Sequence, residues 1–187
     1  MTRGPLPPPA NPAAAPRDLL GALATQLGQP LAARYCADLL DGASAFDHPD
    51  RLPYLGGRPA LQLLGGDAVW ATWPPVWAAR GLRYVWVDDV ASVVVGAVAH
   101  DTWRVAEHAV TVAASHELAA AADPAVRLLR HELARVRRAA VRALGLVGDT
   151  EHVPEVEAMA DDPRPDVRRA AAVALDRLTE RLDLPTR

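Results

Sequence analysis

The chain has 187 residues with 20 basic and 23 acidic side chains, a formal net charge of −3 and a pI near 6.0, so as a whole it carries no field suited to a polyanion. Half of it is hydrophobic, much of that alanine, and every basic residue is arginine. The single cysteine, Cys36, excludes an internal disulfide and a cysteine-built zinc site, and the longest apolar stretch, around 90–99, is interrupted by Ser92 and Gly96 and is too short to span a bilayer.

Residues 1–16 are rich in proline and alanine with little to bury, which predicts a disordered or extended tail. The stretch has no continuous apolar core and does not read as a signal peptide, so a cytoplasmic location is expected. Leu19, Leu20, Leu23 and Leu27 stand at helical spacing and predict a helix over 18–27 that stops at Gly28. Pro30, suited to a first helical position, opens a second helix to about Leu40. The two are expected to pair as an N-terminal helical cap. Residues 42–57 contain Pro49, Pro53, Gly56 and Gly57 and read as a surface loop. A short helix at 58–64 follows, then one helical turn at 68–73 that ends before Pro74-Pro75.

From Pro75 onward helices alternate, at 75–86, 88–99, 103–115, 118–130, 134–147, 153–160 and 165–182. Asp101 or Thr102, and Asp149 or Thr150, are N-cap candidates. Gly145 and Gly148 read as stops, and Asp162-Pro163 with Pro165 enforces the last break. The turn near 130–134 (RHELA) has neither proline nor glycine, so a single helix over 118–147 is the alternative there. A break keeps the central unit in phase with its neighbours. The expected organisation is a tail at 1–16, a helical cap and loop at 17–73, repeats at 74–182 and a short tail at 183–187.

The phase comes from a repeated phrase. Residues 136–144 read VRRAAVRAL and 167–175 read VRRAAAVAL, with a weaker echo, VAEHAVTVA, at 105–113. Val105, Val136 and Val167 are 31 residues apart in both steps (136 − 105 and 167 − 136). A fixed period of this length signals stacked copies of one helical unit. Within the central copy Val136, Ala139, Ala140, Ala143 and Leu144 form the apolar stripe of a half-buried helix. One unit cannot bury that stripe alone; stacking supplies the core. The predicted fold is all-α, a right-handed α-solenoid of three to four helical hairpins.

The segments VRRAAVRALGLVGD and DDPRPDVRRAAAVAL resemble HEAT repeats, of the short type also found in phycobilin lyases. The flanking WPPVWAARGLRYVW and DTWRVAEHA resemble uncharacterised actinobacterial HEAT-repeat proteins. The resemblance covers about 100–180 and extends more weakly to about 74. It implies the fold and says little about activity.

Two His-Glu pairs, His116-Glu117 and His131-Glu132, are the metal candidates. LLRHELA, at 128–134, resembles a metal-binding helix of deoxyhypusine hydroxylase, a short-HEAT enzyme that holds two irons through such pairs, and imidazole with carboxylate suits non-haem iron. In that family the pairs recur once per repeat, just after the opening Val-Arg. The equivalent positions here are Glu107-His108, Arg138-Ala139 and Arg169-Ala170. The actual pairs fall half a repeat apart, so they are read as helix-surface residues; no metal and no cofactor are expected. HExxH, GxSxG and phosphate-loop motifs are absent from the sequence. Cys36 lies on an apolar-patterned helix and reads as a buried structural thiol.

Arginines cluster from Arg127 to Arg142, and Arg168 and Arg169 repeat the Arg137 and Arg138 positions one unit later. On the repeated helices they suggest a shallow basic ladder for an acidic peptide, a phosphate or a nucleic-acid backbone. The structural alternative pairs Arg137 with Glu132, and Arg168 with Asp162 or Asp166. Among the five tryptophans, Trp77 and Trp103 open successive helices and are expected in packing, whereas Trp70 and Trp73 are the candidates for an exposed patch.

The preferred reading is a non-enzymatic protein-interaction module or scaffold, with Glu107, His108, Arg137, Arg138, Arg168, Arg169, Trp70 and Trp73 as contact candidates. The expected partner is another protein, an acidic segment being the suited chemistry; no membrane partner is expected. An enzyme or enzyme accessory on a HEAT scaffold, hydroxylase-like or tetrapyrrole-lyase-like, is the alternative. A binder of nucleic acid or another anionic ligand ranks third.

Overall fold

The computed structural model describes residues 4–185, and among these there are ten α-helices and no strand. They are α1 (Pro16–Leu27), α2 (Gln29–Leu40), α3 (Pro53–Leu64), α4 (Pro74–Gly81), α5 (Ala91–Ala97), α6 (Trp103–Ser115), α7 (Ala122–Leu128), α8 (Ala134–Val147), α9 (Val153–Ala158) and α10 (Pro165–Arg181). The chain divides into two compact units, up to Val93 and from Val94 onward.

In the first unit α1 packs on α2 and α3, and α4 packs on α2 and α3. Leu20, Leu23, Leu39, Leu52, Leu55 and Leu82 are fully buried at its centre. Each such side chain contributes about 1.5–3 kcal/mol relative to exposure. Gly28, at φ 86°, ends α1 as its sequence position predicts. Residues 4–9 have no regular structure and 10–14 bend and turn, and the segment is held: Leu6 N donates to Asp50 (2.7 Å), Tyr54 Oη to the Pro7 carbonyl (2.8 Å) and Arg58 N to the Pro12 carbonyl (3.1 Å).

The expected loop at 42–57 ends earlier, because α3 begins at Pro53. Leu52, Pro53, Tyr54 and Leu55 are buried, and apolar burial there draws the chain into helix. Gly56 and Gly57 serve close approach rather than a surface turn. A Cβ at Gly56 would lie 2.5 Å from the Trp77 ring, and one at Gly57 2.5 Å from the Pro12 carbonyl oxygen. Gly57 also has φ 59° and ψ −135°, a backbone open essentially to glycine, and it kinks α3. Trp77 is therefore a core residue of the first unit; its helix α4, expected to open the repeats, packs with α2 and α3.

In the second unit α6, α8 and α10 pack side by side, with α7 against α8 and α9 against α10. Val105, Val136 and Val167 are all fully buried, as are Ala109, Ala140 and Ala171 one turn further on. The break expected between α7 and α8 is present. α7 is shorter than the predicted 118–130: Pro124 lacks the N–H that a helix continuous from 118 would donate, so a 3₁₀ turn at Ala119–Ala121 precedes it. α9 opens at Val153 as expected and gives way to a 3₁₀ turn at Met159–Asp161. Gly145 does not end α8. It lies inside the helix, where a Cβ would sit 2.8 Å from Ala174 Cα, and it lets α8 and α10 touch through backbone. Gly148 is the residue that follows the helix.

Candidate partner-binding face

The repeat governs the turns as well as the core. His100 Nδ1 accepts from Thr102 N (2.9 Å), His131 Nδ1 from Leu133 N (3.0 Å) and Asp162 Oδ1 from Arg164 N (2.8 Å). These three side chains stand at one position of the repeat, each shaping the entry to α6, α8 or α10. The bond to Nδ1 assigns the neutral imidazole's hydrogen to Nε2.

Arginine completes the turn in two copies. Arg137 Nη1 donates to the His131 and Glu132 carbonyls (2.8 and 2.9 Å), and Arg168 Nη1 does the same to Asp162 and Pro163 (2.8 and 3.2 Å). Arg137 also reaches the next unit. Its Nε and Nη2 grip Asp162 Oδ2 and Oδ1 at 2.7 and 3.0 Å, with both side chains largely buried. The hydrogen bond from Arg137 holds the Asp162 carboxyl below the usual carboxylate range, and the same bond raises Arg137.

These contacts place the candidate residues. Arg137 and Arg168 are turned back onto the turns that precede their own helices. The Glu132 expected to pair with Arg137 contributes its carbonyl, and the carboxylate comes from Asp162. Glu107 accepts from Arg135 Nε (3.0 Å), and Arg138 from the same stretch donates to Asp166 (2.9 Å), so each ties one repeated helix to the next. His108 is half-buried, and Arg169 is exposed.

Neither His-Glu pair lies on a helix surface, contrary to expectation. His116 is the residue that ends α6, and Glu117 follows it with φ 53°. His131 and Glu132 form the turn before α8. For His131 and Glu132 the cause is the turn chemistry just described, in which His131 Nδ1 accepts from Leu133 N and both carbonyls accept from Arg137. Among the described residues no group of three or more His, Cys, Asp or Glu is arranged to hold a metal ion. Cys36 is fully buried, and burial, reinforced by Asp38, pushes its thiol up to about 12. Trp70 and Trp73 are half-buried, their rings 5.5 Å apart and 6.3 and 6.5 Å from buried Trp77.

With the turns and core removed, one set of positions faces outward on α6, α8 and α10. In register these are Arg104, Arg135 and Asp166; Glu107, Arg138 and Arg169; Thr111, Arg142 and Val173; and Ser115, Leu146 and Arg177. Six are arginine and two carboxylate. Arg104 and Arg135 stack over the Trp103 ring at 4.3 and 4.9 Å. Arg142, Arg169 and Arg177 have no ion pair or hydrogen bond among the described residues. Leu146 and Val173 stand among them 39% and 50% exposed. Beside Leu146 and Arg177 a hollow of about 590 Å³ opens, lined also by Gly145, Val147 and Arg181. Leu146 and Val173 escape a reading of the sequence because on an alanine-rich helix they look like core. The signal is their place on the same face, Leu146 eight residues beyond Arg138 (146 − 138) and Val173 four beyond Arg169 (173 − 169).

No curated protein matches the chain at a significant level. Residues 90–176, which take in α5 to α9 and most of α10, match the family model of HEAT repeats.

Proposed function

We propose that the protein is a non-enzymatic interaction module that holds a partner protein on the outward rows of α6, α8 and α10. HEAT repeats are generally protein-interaction scaffolds. The observation that carries the reading is the patch formed by Arg142, Arg169 and Arg177 around exposed Leu146 and Val173. Arginines without internal partners beside exposed aliphatic side chains are the composition of an interface centre rather than of a solvated helix face. Among the described residues no helix is long and apolar enough to cross a membrane.

The test is affinity capture from lysate of the source cells, comparing the natural chain with an Arg142→Glu/Arg169→Glu variant. A defined protein is expected with the first and not with the second. Equal recovery with both overturns the reading.

A further inference from the structure

We infer that the partner presents a short peptide segment in which aliphatic side chains alternate with carboxylates. The inference rests on the interaction reading above and goes on to the partner's chemistry. On α8 the outward positions run Arg138, Arg142, Leu146; on α10 they run Arg169, Val173, Arg177. Successive members of each column are one helical turn apart, about 6 Å. Packed helices lie about 8–10 Å apart. In the register of the repeat Val173 takes the position of Arg142 and Arg177 that of Leu146, so the two columns interleave cations with apolar groups. A segment crossing from α8 to α10 meets a cation and an apolar group in alternation.

Charge complementarity selects the occupant. Arg138 already holds Asp166, at 2.9 Å, so the cations left for a partner are Arg142, Arg169 and Arg177. Each presents a planar fork that matches a carboxylate with two parallel bonds. The aliphatic side chain of the partner covers Leu146 and Val173, and the neighbouring hollow, where Gly145 and Val147 stand with Glu117, Glu180 and Arg181, has room for a second one. A nucleic-acid backbone fits this face worse. It offers nothing apolar to Leu146 and Val173.

The test is selection of a random peptide library, displayed on phage, against the full chain. Enriched sequences are expected to combine Asp or Glu with Leu, Val or Phe. A synthetic peptide of the enriched sequence should bind with an affinity that falls as salt is raised. It should bind roughly tenfold or more weakly to Arg142→Glu/Arg169→Glu, and more weakly to Leu146→Ser. All three substituted side chains are exposed and the arginines lack internal partners, so circular dichroism should show these variants folded. Enrichment of basic or neutral peptides, equal binding by the variants, or no enrichment overturns the inference. Tighter binding of a single-stranded oligonucleotide than of any peptide overturns it too, as does a dimer of the chain that the double variant dissociates. The two readings fail separately. Failed selection with lysate capture that still depends on Arg142 and Arg169 removes the acidic chemistry alone, and capture indifferent to both removes the face.

Discussion

Arg137 and Asp162 join one repeat to the next through a two-pronged ion pair, 2.7 and 3.0 Å long, between a helix and the turn that precedes the following helix. The remaining Nη1 of Arg137 bonds two carbonyls of its own turn. One guanidinium therefore closes two turns, and its planar fork cannot be replaced by an ammonium. Arg137→Lys is expected to destabilise the second unit by about 2 kcal/mol. A urea titration followed by circular dichroism measures it; an unshifted midpoint would show the pair to be dispensable.

The same pair gives the stability of the second unit an acid dependence. Arg137 lowers the folded Asp162 carboxyl below the value it has in the unfolded chain. Its contribution is complete above the ordinary carboxylate range. It is lost as pH falls through that range towards the lower folded value. Asp162→Asn keeps an oxygen for the Arg164 N–H but loses the charge. It should cost about 3 kcal/mol at neutral pH, since it leaves a mostly buried arginine without its partner. The gap between the two proteins should narrow in acid. A gap of constant size from neutral to acid pH would refute this account.

Gly145 marks where α8 and α10 come closest. Its missing side chain leaves 2.8 Å to Ala174 Cα, below any real contact of a Cβ. Gly145→Ala must push the helices apart and should cost about 1–3 kcal/mol despite alanine's better helix propensity. One repeat later Asp176 occupies the same position and is exposed. Asp176→Gly should therefore cost no more than the propensity difference of about 0.5 kcal/mol, as urea midpoints would show. A midpoint raised by Gly145→Ala would mean that helix propensity, rather than close approach, governs that position.

What the sequence makes legible follows from how local the cause is. The buried valines declare themselves because the period is written directly in the chain, and Gly28 because a helix stop is a backbone property of one residue. Trp77 and Gly56 are different. Their contact joins segments 21 positions apart (77 − 56), and nothing at either position names the other. His131 misleads for a related reason. Beside Glu132 it has the composition of a metal ligand, and its work as an acceptor for Leu133 N appears only once the turn exists. The face is half-legible: arginines announce charge, but whether one is free depends on partners such as Asp162 and Asp166 that only the stacked helices bring near.

Cys36 offers a clean report on the first unit. Its sulfur is fully buried on α2, and burial raises the thiol to about 12, so the native chain holds almost no reactive thiolate at pH 8. A thiol reagent such as DTNB should react with it only at the rate at which the first unit opens, and at full stoichiometry in urea. Prompt reaction of the native protein would mean that α2 is not packed as described.

Glu117 provides a test of backbone strain. It follows α6 in the left-handed region, φ 53°, while Leu118 N reaches back to the Ala113 carbonyl at 2.9 Å. That six-to-one bond is the helix ending that glycine favours, because a Cβ there crowds the following carbonyl. Glu117→Gly is therefore expected to stabilise the second unit by up to about 1 kcal/mol, despite the extra freedom glycine gives the unfolded chain. The urea midpoint should rise. The Glu117 carboxylate also borders the hollow beside Leu146 and Arg177. A fall in the midpoint would show that this carboxylate contributes more to the fold through that hollow than its strained backbone costs.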